Sequence, residues 1–328
     1  MILEPHSTRL FPKNFGADQY AITGLASRCD WVILSDRKPP NVHLHRNCNT
    51  DHPRHIFLSL RAPFEAILFF FEDILPKLSA DFVLVSGSVD ATVPRQIDAR
   101  WRQFSVPERD MINHILCHPK LKHWYAENLD QAAHPKLSPL PLGLMFPKGY
   151  PEGGIIVPEV PPISKRPLKV FCAHRHREGA QWEPRRRVSD LATGPWAAFT
   201  THPEIELPEA QFFTQIEAHS FVLCVEGGGL DPSPKAWSTL LNGAIPIIRK
   251  NSVSLAYMHL PIVMVDDWQA DALRPDLLWQ WRDTLQTWFD DAHGRREVIR
   301  RMSLDYWCSF VATGTPITDG EIGLHGMS

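Results

Sequence analysis

One stretch of this chain restricts its possible folds more than any other: Phe221-Val-Leu-Cys-Val-Glu-Gly-Gly-Gly-Leu-Asp-Pro-Ser-Pro-Lys-Ala-Trp. An apolar, β-rich run leads into three glycines, then Asp231-Pro232-Ser233-Pro234, then a helical pattern. The order predicts a buried strand, a loop open to close approach, and a helix with Ser233 as N-cap. Pro234 then falls at the first helical position, where a missing N–H costs nothing. Gly227, Gly228 and Gly229 let a phosphate approach backbone N–H groups, and a helix N-terminus favours negative charge. Lys235, in the first turn, opposes the helix dipole unless an anion also sits there. The spacing is not a dinucleotide fingerprint, because Pro232 stands where a third glycine is required, and no Gly-Lys-Ser/Thr follows as in a Walker loop. Taken alone, the segment is explained equally well as a glycine-rich turn with an incidental lysine.

The rest of the chain supplies more of the same logic. Trp31 to Leu34, Ile56 to Leu60, Phe82 to Ser86 and a stretch ending at Leu140 read as strands, and Pro63 to Leu78 reads as a helix. Asp110 to His118 and Lys120 to Asn128 read as two more helical segments. Strands alternating with helices predict an α/β fold with parallel sheets. From Pro147 to Pro167 proline and glycine recur without helical period, which marks a linker. The pattern then restarts. Leu168 to Ala173, Phe221 to Val225, Ala244 to Ile248 and Ile262 to Val265 are strands. Pro208 to Ala218, Pro234 to Leu241, Leu273 to Phe289 and Arg295 to Trp307 are helical. The expected division is a first domain over 1–150, a linker over 151–167, and a second domain over 168–328. The last helix is expected to pack back on the first domain.

At 328 residues the chain has room for two cores. Its 44% apolar and 22% charged composition is that of a globular protein, and a net charge of −3 argues against nucleic acid as a partner. Ala66 to Phe71, the most apolar run, is too short to cross a bilayer. Six scattered cysteines and no apolar leader make a soluble cytoplasmic protein the expectation.

The segment Phe221 to Ile248 resembles the donor-binding core of exostosin-like glycosyltransferases (family 47 type). Ser233-Pro234-Lys235 leads into its helix and Leu240-Leu-Asn-Gly-Ala-Ile-Pro-Ile-Ile leads out. Leu260-Pro-Ile-Val-Met-Val-Asp-Asp-Trp resembles the family's usual continuation. Looser similarity covers Phe82 to Pro94 and His134 to Leu144. The resemblance implies a GT-B fold, two Rossmann-like domains facing each other across a cleft. It also implies transfer of a sugar from a nucleoside diphosphate donor, with inversion. One position departs from the pattern: the family carries a glutamate suited to the ribose hydroxyls where this chain has Ser238. Either Glu226 then substitutes, the donor differs, or catalysis has been lost.

Such a transferase must neutralise a leaving diphosphate, and without a metal that falls to cations and helix ends. Lys235 is one candidate; Arg175 and Arg177, after the first strand of the second domain, are others, with a solvated basic loop as the alternative. Arg185 to Arg187 read as an exposed helix start. A general base should come from the first domain, where Asp90 follows a strand across a Ser-Gly-Ser turn, although capping a turn explains it too. Asn128, Asp130 and His134 form a second polar set suited to an acceptor, with helix C-capping a competing role for Asn128. His43 to His55 crowds four histidines, Cys48 and Asp51 into a short stretch without a helical H-x-x-x-H pair, and reads as a surface loop. Asp266-Asp267 reads as a helix cap, and Trp237 as core.

Three functions remain open on these residues. The first is transfer from a nucleoside diphosphate sugar, a UDP-sugar foremost, to a hydroxyl of a glycan, polysaccharide or lipid-linked glycan, with no metal and no cofactor. Contact with a membrane would then be peripheral. The second is a non-catalytic nucleotide- or glycan-binding module, favoured by Ser238. The third is a metal-dependent hydrolase built on the histidine cluster.

Overall fold

The computed structural model describes residues 1–131, 134–175, 178–179, 182–320 and 322–325. A two-residue strand, β1 (Ile2–Leu3), opens the chain. It is followed by β2 (Trp31–Ser35), β3 (Val42–Arg46), β4 (His55–Ser59), α1 (Pro63–Phe69), β5 (Phe82–Gly87), α2 (Val106–Cys117), β6 (Leu121–Ala126) and β7 (Leu137–Pro139). These strands form a six-stranded sheet in the order β3-β2-β4-β5-β6-β7, parallel except for the β2–β3 hairpin.

After β8 (Ile155–Ile156), which pairs with β1, come β9 (Val170–Phe171), α3 (Glu183–Thr193), β10 (Thr200–Thr201), α4 (Glu209–Glu217), β11 (Phe221–Leu223) and α5 (Lys235–Leu241). Then follow β12 (Ile245–Arg249), α6 (Ser254–Tyr257), β13 (Val263–Val265), α7 (Pro275–Leu285), α8 (Thr287–Asp290), α9 (Ala292–Met302), α10 (Leu304–Thr313) and β14 (Leu324–His325). Their sheet runs β10-β9-β11-β12-β13-β14 and is parallel throughout. The fold is therefore α/β with two parallel sheets, the class the alternating pattern predicts.

Burial explains why these runs are strands. Every residue of β2, β5 and β11 is buried, as helix-covered parallel strands must be. The same fact accounts for one error of sequence reading. Residues 120–128, expected to be helical, instead contain the interior strand β6, where Trp124 and Tyr125 are fully buried against β5 and β7. A strand covered on both faces shows no alternation, so its apolar run mimics a helix face. The Trp124 indole donates to the Ser86 hydroxyl at 2.9 Å, so its one polar atom is satisfied. The histidine-rich stretch is corrected as well. Its first four residues lie in edge strand β3 and its last, His55, opens β4, and no three His, Cys, Asp or Glu side chains among the described residues come together as metal ligands would. No helix among these residues is long and apolar enough to cross a membrane.

In the second sheet β9 is followed by β10 on one side, and the chain then returns to place β11 on the other. The interval between β9 and β11 is thus a point where strand order reverses, the position at which an open parallel sheet leaves a crevice above its carboxyl ends.

The segment around residues 5–9 is threaded between the two sheets' elements. Pro5 bridges to Ser303 and Ser7 to Gly143, His6 N–H donates to the Met302 carbonyl, and Thr8 N–H to that of Leu142. Gly143 has φ +81°, and a Cβ there would stand 2.1 Å from the His6 carbonyl oxygen, so no side chain fits. Helix α10 lies against the first sheet, where the Tyr125 hydroxyl donates to the Phe310 carbonyl at 2.7 Å.

His6 itself is fully buried, with ring centroids of Trp237 and Trp307 each 5.7 Å away and Nε2 2.8 Å from the Pro141 carbonyl. Burial lowers its pKa from 6.5 to about 4. Between those values the unfolded chain binds a proton that the folded one refuses, so stability present above pH 6.5 is lost as pH falls towards 4. The loss should be on the order of 3 kcal/mol. His123, lowered to about 4 by burial, acts with the same sign. Asp231, raised by burial to about 7, acts with the opposite sign, so the test is comparative: in urea denaturation, stability should fall less, or rise more, from pH 7 to pH 4.5 in His6→Phe than in wild type. An unchanged pH difference in His6→Phe would show that His6 is protonated in the fold.

Candidate functional site

The loops that leave the carboxyl ends of both sheets meet face to face, and one asparagine does much of the joining. Asn128 follows β6. Its Oδ1 accepts from the backbone N–H groups of Leu230 (2.9 Å) and Asp231 (3.1 Å), and its Nδ2 donates to the Val89 carbonyl and to Glu127 Oε1, both at 3.1 Å. The helix-capping role considered for Asn128 falls with the helix. Two of the glycine loop's N–H groups therefore serve the contact between sheets. Around this bridge the Leu142 N–H and the Tyr257 hydroxyl donate to Asp231 Oδ2 at 3.0 and 2.6 Å, while Ser252 donates to the Leu129 carbonyl at 2.5 Å. Asp231 is buried, and burial raises its pKa from 3.8 to about 7.

The three glycines now have a steric reason. A Cβ on Gly228 would lie 1.9 Å from the Arg100 guanidinium carbon, and one on Gly229 would lie 2.4 Å from Asn128 Oδ1. At Gly227 the obstacle is Arg185 Nη2, 2.9 Å away. The glycines are there for close approach, and what approaches in this structure is protein. Beside them a cavity of about 300 Å³ opens between the sheets, bounded by Thr92 and Asp98 on one side and by Glu226 to Leu230, Pro184 and Arg249 on the other.

Lys235 lies beneath this loop at the reversal point. Its ammonium donates to the carbonyls of Ala173, just past β9, and of Leu223, at the end of β11. Strand carbonyl ends supply the negative potential that the helix end lacks, which answers the puzzle of a cation in that first turn. Burial lowers its pKa from 10.5 to about 8. Pro234, expected at the first helical position, is the N-cap of α5. Ser233, expected as that cap, has φ +82°, and its hydroxyl still accepts from Lys235 N–H at 3.2 Å. Ser238 is half-buried one turn further along α5. Trp237 is core, as expected.

Arg185, expected to be exposed, turns inward over the loop. It donates to the Glu226 carbonyl at 3.2 Å and to the Arg175 carbonyl at 3.4 Å, and it stacks on Trp182 at 4.8 Å. Arg175 itself points outward into an exposed pair with Glu206 at 2.6 Å. Arg177 lies outside the described residues. Glu226 is buried, ion-paired with Arg249, and accepts from the Trp268 indole at 3.3 Å. Asp267, taken as a helix cap, instead accepts from the adjacent Trp268 N–H and pairs with Arg249 at 3.4 Å.

On the facing side Asp90 is held by two guanidiniums, Arg9 at 2.5 Å and Arg100 at 2.6 Å. Burial opposes its charge, but the two cations outweigh burial and hold its carboxyl far below the usual carboxylate range. The general-base role expected of Asp90 therefore requires that an incoming acceptor draw Arg100 away. Asp130 Oδ2 accepts from Thr92 Oγ1 (2.7 Å) and Gln96 N–H (2.9 Å), fixing the loop that borders the cavity. His134 accepts from Lys136 N–H at 3.2 Å in a turn that none of these contacts reaches.

Arg9, Arg100 and Arg249 carried no signal in the sequence. Each is placed by tertiary contact between segments far apart in the chain.

No protein-family model matches the chain, and no curated protein matches it. Solved structures similar to it include the spinosyn rhamnosyltransferase SpnG, at 15% identity over 80% of this chain and 72% of that one, with a TM-score of 0.36. Another is TarM, at 8% identity over 86% of this chain and 63% of that one, with a TM-score of 0.40. SpnG complexed with thymidine diphosphate is similar at 15% identity over 80% of this chain and 72% of that one, with a TM-score of 0.34.

If the Asn128 bridge holds the glycine loop to the first sheet, Asn128→Leu strands one buried N–H, of Asp231, and one half-buried, of Leu230. It should cost about 2–4 kcal/mol, read as a lower urea midpoint, and should speed proteolysis within the loop. A midpoint unchanged from wild type would remove the bridge from this account.

Proposed function

We propose that this protein is a glycosyltransferase of the GT-B type that takes its sugar from a nucleoside diphosphate donor. The observation that carries the reading is the strand reversal between β9 and β11. It is topped by the glycine loop, underlain by Lys235, and set across a cavity from the carboxyl ends of the other sheet. A crevice at such a point accepts a phosphate-bearing ligand, and a second α/β face opposite it gives a second substrate a wall of its own. Arg185, Arg249 and the buried ammonium of Lys235 supply positive potential for a departing diphosphate without a metal or other cofactor. Arg175 is set towards the rim, and Arg177 remains a candidate from the sequence alone. Glu226 and Ser238 are the residues for the ribose.

In this reading a UDP-sugar is the donor and a hydroxyl of a glycan or polysaccharide, free or lipid-linked, is the acceptor. Asp90 takes the acceptor's proton once Arg100 has moved to the substrate, and attack from that side inverts the anomeric centre. Asn128 and Asp130 shape the acceptor side by fixing its loops. Kinship with exostosin-like enzymes and a cytoplasmic location belong to the same proposal. The non-catalytic alternative has one observation in its favour: the Asp90 carboxylate is held by two arginines, which lowers its power as a base.

Thermal denaturation with UDP, GDP, ADP, TDP and CMP tests the donor half directly. One diphosphate at about 100 times its dissociation constant should add about 2.7 kcal/mol of stability, and Arg185→Gln should weaken that binding about tenfold or more. Stabilisation by none of them would defeat the reading. Turnover retained in Asp90→Asn would remove Asp90 as the base and leave the donor site standing.

A further inference from the structure

A second cavity, of about 350 Å³, opens at the carboxyl ends of β2, β4 and β5, where the donor reading has no use for it. Its charged lining is lopsided, with Arg9, Lys13, Arg37, Arg61 and Arg100 set against Asp36 and Asp90. Both carboxylates are already committed. Asp90 is shared by Arg9 and Arg100, and Asp36 accepts from the Tyr20 hydroxyl at 2.7 Å and from the backbone N–H groups of Asn14 (2.8 Å) and Lys38 (2.9 Å). Glu127, the nearest other acid, is paired with Arg9.

That leaves Arg61 with carboxylates nearby, Glu127 and Asp90, but in direct contact with neither. Among the described residues it makes no salt bridge, its buried Nε has no hydrogen-bond partner, and its nearest ring, Phe11, is 6.0 Å away. Burial and the neighbouring Arg9 lower its pKa from 12.5 to about 10. A half-buried guanidinium with a buried, unpartnered Nε, set beside another guanidinium, is a site that an oxyanion entering the cavity would complete. Arg37, at the exposed rim, lies 3.9 Å above the Trp101 ring, which holds its guanidinium at the mouth of the cavity. Arg100 is the wall between this cavity and the glycine loop, since it lines the one and overlies Gly228 of the other.

We propose that this cavity is an oxyanion site, in which Arg61 and Arg37 grip a phosphate or carboxylate group carried by the sugar acceptor. The proposal rests on the transferase reading for the word acceptor, but the site itself does not depend on it. An acid group seated there would compete with Asp90 for Arg100, the same displacement that frees Asp90 to take a proton.

Calorimetric titration of the full chain with glucose 6-phosphate, glucuronate and glucose tests it and separates phosphate from carboxylate. At least one of the two acids should bind and glucose should not. Arg61→Gln should weaken that binding about tenfold or more, and Lys235→Ala should leave it unchanged. Should Arg61→Gln fail to fold, Arg37→Gln, at an exposed position, decides by the same loss. Binding of neither acid, or binding equal in wild type and both arginine variants, overturns the oxyanion site. So does displacement of the acid by the nucleoside diphosphate, since the ion would then occupy the donor crevice. A nucleotide that binds while neither acid does leaves the transferase reading intact and ends this one. An acid that binds while no nucleotide does has the reverse effect.

Discussion

The structure depends on keeping one cation satisfied in a dry place. Arg9 is buried where the two sheets meet, and it is ion-paired with Glu127 and Asp90. A guanidinium there without partners would cost several kcal/mol, so the loops after β5 and β6 must present their carboxylates to it together. Burial raises the pKa of Glu127 despite the pairing, so the cluster is held by geometry at the expense of solvation. Once Arg9 is fixed, Thr8 bonds to Glu127, Ser88 N–H bonds to the same carboxylate, and Asn128 is set to reach across to the glycine loop. The cleft takes its shape from this chain of dependencies more than from either sheet alone.

The consequence for chemistry is that two acids near the cleft are perturbed in opposite directions. Asp90 is held ionised by two arginines, while Asp231, a few residues past the glycines, is pushed towards neutrality by burial. The two perturbations have opposite signs because one carboxyl is met by cations and the other by burial. On the basic side the same separation holds, with Lys235 lowered by burial and Arg9 raised by its partners. Potential in the cleft is thus set by which groups are paired, and substrate binding acts by changing the pairing.

How much of this was legible beforehand follows from how local each feature is. The strand from Phe221, the helix from Lys235 and the core role of Trp237 rest on neighbours in sequence, and composition reveals them. β6 was misread because burial on both faces erases the alternation that identifies a strand. The glycines were marked as positions of close approach, but the sequence could not say that Arg100 and Asn128, about a hundred residues away, are what approaches. Arg61 showed no pattern at all, since an unpaired cation is defined by what fails to surround it. Lys235 drew notice for the right reason, a charge at the wrong end of a helix. The carbonyls that hold it come from strand ends that no local rule connects.

The segment around His6 carries an implication for how the chain is made. Its backbone is closed by Met302 and its neighbour Pro5 by Ser303, partners nearly three hundred residues away. At ordinary rates of synthesis those partners leave the ribosome on the order of 15–60 s later. Through that interval the first sheet can form and hold Ser7 and Thr8 against Gly143 and Leu142, while the backbone contacts of Pro5 and His6 with those partners stay open. The His6 ring must likewise wait for Trp237 and Trp307 to cover it. A truncation late in the chain would therefore be felt at residues 5 and 6, far in sequence from the cut.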